Sequence, residues 1–228
     1  MRGAGAAQRV LVDALTARLG ARPSDVVDLG GGTGGLAGTL AGLGHRVTVI
    51  DPSPDALAAV QRRAAELGVG DRLTGRQGDS TTLVGDLGPG AADLVLCHEV
   101  LELVSDRAAT LTGIATVLRP GGALSLVTAQ RYPRALAHAA AGDFARARAT
   151  WQDPTMLDPV RARELLAVAG FEIREAHGLG LAAGQISDEV GEGRGGAILD
   201  LERAFAADPG LLAAAPRLHL YATAAGTP

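Results

Sequence analysis

The sequence predicts a doubly wound α/β fold, in which a mostly parallel sheet is covered by helices on both faces. Three observations carry this. Strand-like apolar runs alternate with helical patterns along the first 128 residues. The helical patterns are long enough to cross back over a sheet, as parallel strands require. The link after the first run is a glycine cluster, "DLGGGTGG", from Asp28 to Gly35.

The elements follow in order. Apolar residues recur at helical spacing from Ala6 to Leu19, and Gly20 closes that helix. Val26 to Leu29 reads as the first strand, and Gly35 to Leu43 as a helix. Arg46 to Ile50 is the second strand. Ser53 to Leu67 is the next helix, with Ser53 as N-cap and Pro54 in the first helical position. Arg72 to Gln77 is a third strand, and "ADLVLC" from Ala92 to Cys97 a fourth, buried one. Asp106 to Leu118 is helical and stops at "RPGG", and Ala123 to Thr128 is the fifth strand. The alternation then breaks. Gln130 to Met156 is too long for a simple link and carries Tyr132, His138, Phe144, Trp151 and four arginines. A helix over Arg161 to Ala169, a strand over Phe171 to Leu181, a helix over Ala197 to Ala206 and a strand over Pro216 to Thr223 complete the chain.

Composition bounds the function. With 228 residues, 47% of them hydrophobic, one domain over 1–228 can bury a full core. No internal repeat or linker marks a second unit. Residues 1–24 are read as an N-terminal helix and 129–157 as a lid or substrate insertion. The net charge is −4 and every basic residue is Arg, which argues against a wide nucleic-acid-gripping surface. The single cysteine, Cys97, allows no disulfide framework and no cysteine-based metal site, and no metal is expected. "MRGAGAAQRV" lacks the pattern of a signal peptide, and no apolar run is long enough to span a bilayer. A cytoplasmic monomer or homodimer without membrane contact is expected.

The glycine cluster has two readings. Gly30, Gly32 and Gly35 fit the G-x-G-x-x-G spacing of a dinucleotide site, which seats a pyrophosphate on a helix N-terminus. Gly30, Gly32 and Gly34 also fit D-x-G-x-G-x-G, with Asp28 two residues ahead. An acid there would repel a pyrophosphate and suits a ligand with a positive group. Ligands of such sheets bind at the carboxyl ends of the strands, where this loop lies.

At this point four segments in order resemble the class I S-adenosylmethionine-dependent methyltransferases: "VVDLGGGTGG", "VTVIDPSPDAL", "RQGDSTTL", and "ADLVLCHEVLELV" with "VLRPGGALSLV". The resemblance implies a Rossmann-like, seven-stranded sheet with an antiparallel last strand and a helical insertion after strand 5. It implies S-adenosyl-L-methionine as cofactor. Asp28 would position its ammonium group, and Gly30, Gly31, Gly32 and Gly34 would admit its aminoacyl end. Asp51, next to Pro52, would accept the ribose hydroxyls, and Asp79 and Ser80 would flank the adenine. A closer resemblance runs through "HEVLELVSDRAATLTGIATVLRPGGALSLV", "LAHAAAGDF" and "LDLERAFAADPGLLAAAPRLHLYATA", to the bacterial enzyme family that methylates 5-carboxymethoxyuridine in transfer RNA. It implies a cofactor contact for Arg2 and for His98, and a methyl ester as product. That family carries a lysine-rich stretch after its "AGDF"-like residues, and here the segment reads "ARARATWQDPTMLDP". The acceptor is therefore transfer RNA or, as the alternative, a small molecule.

A carboxylate acceptor needs no base, whereas a hydroxyl or amine is helped by one. His98, Tyr132 and His138 are the candidates. His98 also suits a helix-capping role, and His138 lies in an Ala-rich helical stretch that suits packing. Arg131, Tyr132, Arg146, Arg148 and Trp151 are candidates to hold the acceptor, as is Arg134. Each also has a plain reading, a solvated helix face for the arginines and packing for Trp151. His45, His177 and His219 read as structural, and Cys97 as core. A nucleotide-binding oxidoreductase is the competing enzyme class, and Asp28 and "RPGG" argue against it. The intact glycines and Asp51 argue against an inactive partner subunit.

Overall fold

A computed structural model describes residues 2–182, 184 and 193–224, except the side chains of 2–4. In chain order the elements are α1 (Arg2–Leu19), β1 (Asp25–Leu29), α2 (Gly35–Gly42), β2 (Arg46–Asp51), α3 (Pro54–Glu66), β3 (Leu73–Gln77), α4 (Leu83–Leu87) and β4 (Ala92–His98). There follow α5 (Arg107–Val117), β5 (Leu118–Ala129), α6 (Arg131–Ala140), α7 (Phe144–Gln152), α8 (Pro159–Val168) and β6 (Phe171–Leu179). The chain closes with α9 (Gly195–Ala206), a 3-10 turn (Pro209–Ala214) and β7 (Arg217–Ala224).

The seven strands form one sheet in the order β3-β2-β1-β4-β5-β7-β6. Pairings from β3 to β5 are parallel, and β7 runs antiparallel to both neighbours. The strand order reverses beside β1, which places the glycine loop at the switch point.

Side-chain alternation sorts the strands onto two cores. Val95 and Cys97 of β4 face one way, with Leu124 and Leu126 of β5, and meet Leu111 and Ile114 of α5 and Leu166 of α8. Leu94 and Leu96 face the other way, with Ala123 and Val127, beneath Leu11 and Leu15 of α1 and Leu40 of α2. Leu15 and Leu40 are fully buried, each contributing about 2–3 kcal/mol by leaving water. Among the described residues, no helix is long and apolar enough to cross a membrane.

Local signals act as the sequence indicated. Gly20 closes α1 with φ +65°, and Ser53 Oγ accepts from the Ala56 N–H. Two elements differ from expectation. β5 begins at Leu118 rather than Ala123, because Leu118 already pairs with Ala92 before the register shifts. α4 carries no signal in the sequence, since five residues are too few to show a helical period. The insertion divides into α6 and α7 around Gly142, which has φ +81°. Asp143 then caps α7 by accepting from the Arg146 N–H at 3.0 Å. The two ends of the insertion meet in a parallel bridge between Gln130 and Leu157.

Candidate active site

The loop after β1 is shaped by close approach. Gly30, Gly32 and Gly34 have φ of +68°, +54° and +70°, where a β-carbon is disfavoured. A β-carbon on Gly30 would lie 2.5 Å from Val100 Cγ2, and one on Gly31 would lie 2.5 Å from the Asp28 carboxyl. Gly32 N–H donates to Asp51 Oδ2 at 2.9 Å, and Ser53 N–H donates to Asp51 Oδ1 at 2.9 Å. Asp51 at the end of β2 thus ties the loop to the start of α3 and keeps further lone pairs on each oxygen.

Two cavities of about 480 Å³ flank this loop. One is lined by Gln8, Asp28, Gly30, Gly31, Leu36 and His98, among others. The second includes Gly30, Asp51, Pro52, Asp79, Ser80 and His98. Gly30 and His98 belong to both, so the cavities form one groove across the strand ends. Asp28 is 4% exposed and no described donor reaches its carboxyl. Burial, with the neighbouring Asp51 charge, pushes its pKa up to about 7. A buried acid without a donor suits a ligand bringing its own positive charge. At the other end Asp79 Oδ1 accepts from Thr81 N–H, Thr81 Oγ1 and Thr82 N–H, which holds the acid well ionised.

His98 ends β4 and lines both parts of the groove. Its Nε2 shares a hydrogen bond with Ser125 Oγ at 2.8 Å, and burial lowers its pKa to about 4. The next residue, Glu99, is the one described non-glycine residue with positive φ, +56°. Glu99 lines both the groove and a third cavity, of about 770 Å³. That cavity is walled by Pro133, Leu136, Ala137, Ala214 and Pro216, with Arg134 and Arg217. No described ion pair engages either arginine.

Other candidate residues lie elsewhere. Arg131 Nη2 donates to buried Asp158 Oδ2 at 2.5 Å, and Tyr132 Oη donates to the same oxygen at 3.3 Å. The Tyr132 ring leans on Trp151, centroids 5.2 Å apart. These contacts fasten α6 to α7 and α8, and none of the three residues lines the cavities. His138, Arg146 and Arg148 line none of them either, and the two arginines lie exposed on α7. The side chain of Arg2 lies outside the described residues. Glu99, Arg134 and Arg217 take the cavity positions. Of these, Arg134 is among the acceptor-binding candidates of the sequence, whereas Glu99 and Arg217 carry no sequence signal.

A family model described as a methyltransferase domain matches residues 27–126. A ubiquinone biosynthesis O-methyltransferase of Xanthomonas euvesicatoria is 32% identical over 174 residues, 75% of this chain and 72% of that protein. The chain belongs to the class I S-adenosylmethionine-dependent methyltransferases. Its cofactor is S-adenosylmethionine.

Solved structures agree on the fold of this methyltransferase. Geranyl diphosphate C-methyltransferase from Streptomyces coelicolor A3(2) is 18% identical, covers 95% of this chain and 80% of its own, and has a TM-score of 0.64. The 4+2 cyclase SpnF is 20% identical, covers 95% and 80%, and has a TM-score of 0.65. One scaffold thus carries different chemistries, and only the site can argue for an acceptor. The relatives bear the name of ubiquinone O-methyltransferases, not of the transfer-RNA family that the sequence resembled more closely. The transfer-RNA expectation gains no support, and the small-molecule alternative fits better.

Proposed function

We propose that this methyltransferase methylates a hydroxyl on a small molecule with an apolar body and an anionic group. The cavity behind Glu99 carries the proposal. Its volume, about 770 Å³, suits a small molecule. Its walls are mainly Pro, Leu and Ala, and its cations are Arg134 and Arg217. A guanidinium matches a carboxylate or phosphate. The relatives' name, O-methyltransferase, supports a hydroxyl acceptor.

The groove residues fit the cofactor. Gly30, Gly31, Gly32 and Gly34 leave room at the backbone, and Asp28 offers the negative charge an ammonium needs. Asp51, beside Pro52, would accept the ribose hydroxyls through its remaining lone pairs, and Asp79 with Ser80 would border the base. When bound, the cofactor supplies an electrophilic methyl on a positively charged sulfur. The protein's work is then alignment and exclusion of water. His98 lines both parts of the groove and can take a proton through Nδ1, because Nε2 is engaged by Ser125. Arg134 and Arg217 hold the acceptor's anionic group so that its hydroxyl faces the groove.

The test is methyl transfer from labelled cofactor to two pools from source cells, small metabolites and bulk transfer RNA. Label should enter the small-molecule fraction in base-stable form, as an ether is. Base-labile label on transfer RNA would overturn the proposal.

A further inference from the structure

Three histidines share one row across the sheet, with Val127 between the first and the second. His98 of β4 is level with Val127 of β5, Val127 with His219 of β7, and His219 with His177 of β6. Ser125 sits two residues before Val127 and therefore on the same face. Three hydrogen bonds join these residues in series. His98 Nε2 and Ser125 Oγ are 2.8 Å apart, Ser125 Oγ and His219 Nε2 are 3.0 Å apart, and His219 Nδ1 and His177 Nδ1 are 3.1 Å apart. Ser125 and His219 are wholly buried, and the two end residues are half-buried. The chain begins in the groove and ends beside Glu175, Arg18 of α1 and Tyr221.

We propose that His98, Ser125, His219 and His177 form a proton relay that carries the acceptor's hydroxyl proton from the groove, along the α1 face of the sheet, to its β6 edge. The proposal rests on the hydroxyl-acceptor reading above. A neutral imidazole donates through one nitrogen and accepts through the other, and a hydroxyl does both. Each bond holds one proton, so all three must point the same way, and they reverse together. As the acceptor oxygen bonds to the methyl carbon, the carbon–sulfur bond breaks and its electron pair stays on sulfur. The acceptor proton moves to His98 Nδ1. The His98 Nε2 proton passes to Ser125, the Ser125 proton to His219 Nε2, and the His219 Nδ1 proton to His177 Nδ1. His177 releases its Nε2 proton to solvent, and one proton has left the acceptor. After the product leaves, water at the open groove lets the chain run back.

The relay answers an energetic problem. Burial disfavours an imidazolium at His98 or His219. A concerted shift leaves both rings neutral and places charge only on His177. Burial opposes the charge there too, and so does Arg18, while Glu175 offsets part of that cost. Ser125, His219 and His177 are positioning residues, since only His98 faces the acceptor.

The test has two readouts on the full chain. In the first, histidine side chains are labelled with nitrogen-15 and their tautomers read by NMR. His177→Gln should change the tautomer ratio at His98, three hydrogen bonds away. Unchanged His98 nitrogen shifts would overturn the relay. In the second, 3,4-dihydroxybenzoate serves as hydroxyl probe with S-adenosylmethionine. Ser125→Ala should lower kcat at least tenfold, abolish the solvent deuterium isotope effect on kcat and leave cofactor affinity intact, with recovery in Ser125→Thr. Parent-like kcat and isotope effect in Ser125→Ala would overturn it. Coupled tautomers with no transfer to the probe by the parent chain would sink the hydroxyl-acceptor reading and the relay's catalytic use, leaving the hydrogen-bonded chain itself.

Discussion

Replacing Asp28 by Asn should move stability and cofactor affinity in opposite directions. The carboxyl is buried, and its pKa is pushed up to about 7, against roughly 4 in an unfolded chain. A rise of that size corresponds to about 4 kcal/mol against the ionised folded form. For an acid with a raised folded value the penalty is complete above about pH 7 and fades as pH falls toward 4. His45, His98, His177 and His219 are held below their ordinary values, and they destabilise the fold as pH falls through 6.5. Absolute stability therefore mixes both trends. The difference between Asp28→Asn and the parent cancels the histidines. The variant's advantage should be about 1.4 kcal/mol larger at pH 8 than at pH 6. The cost of burying the amide is common to both pH values and drops out of that comparison. Cofactor binding should respond in reverse. The parent should bind S-adenosylmethionine about tenfold more weakly at pH 6 than at pH 8, because most of Asp28 is then protonated. The variant should bind about tenfold more weakly than the parent at pH 8 and show no such slope. Urea unfolding and titration calorimetry at the two pH values give all four numbers. A stability difference that does not change with pH would refute the raised pKa of Asp28, and a variant that keeps the parent's affinity and slope would refute the placement of an ammonium beside it.

Other perturbations separate the parts of the site. Gly30→Ala adds a β-carbon 2.5 Å from Val100 Cγ2 at φ +68°. It should cost roughly 2–3 kcal/mol in urea unfolding, part of it recovered in the double variant with Val100→Ala. Arg134→Ala and Arg217→Ala should each raise KM for 3,4-dihydroxybenzoate about tenfold, as loss of a charge-assisted hydrogen bond implies. KM for uncharged 1,2-dihydroxybenzene and the affinity for S-adenosylmethionine should stay the same. Asp158→Ala removes the cap of α8 and the partner of Arg131, and should destabilise the chain by about 3 kcal/mol. Arg146→Ala with Arg148→Ala should change stability by less than about 0.5 kcal/mol.

The cofactor side of the site is readable in the sequence because its information is local. A strand, an acid and glycines in αL positions are contiguous, so Asp28, Gly30 and Gly32 can be named without any tertiary contact. Asp51 is readable because the end of a strand is a fixed place in a parallel sheet. The acceptor side depends on tertiary register. Arg134 of α6 and Arg217 of β7 line one cavity, and nothing in either segment announces the other. Arg131 and Tyr132 read as substrate residues because no local pattern signals that Asp158, 27 and 26 residues on, engages both. His219 and His177 look like isolated core histidines, since only the pairing of β5, β7 and β6 aligns them with His98. In β5, apolar alternation marks Ala123 to Thr128, but the pairing of Leu118 with Ala92 depends on a register shift that leaves no compositional trace.

The bridge between Gln130 and Leu157 has a consequence for how this scaffold diversifies. Gln130 N–H donates to the Pro216 carbonyl, its Nε2 donates to the Leu212 and Ala215 carbonyls, and Arg131 N–H donates to the Leu157 carbonyl. The chain therefore leaves and re-enters the sheet layer at adjoining points. An excursion with neighbouring anchor points can change length at little cost, since closure entropy grows only slowly with loop size. Helices α6 and α7 can thus be shortened, lengthened or exchanged for those of a relative while the seven strands keep their register. A chimera cut at 130 and 157 should fold on this scaffold and adopt the donor's acceptor preference, which makes this segment a natural unit for recombination.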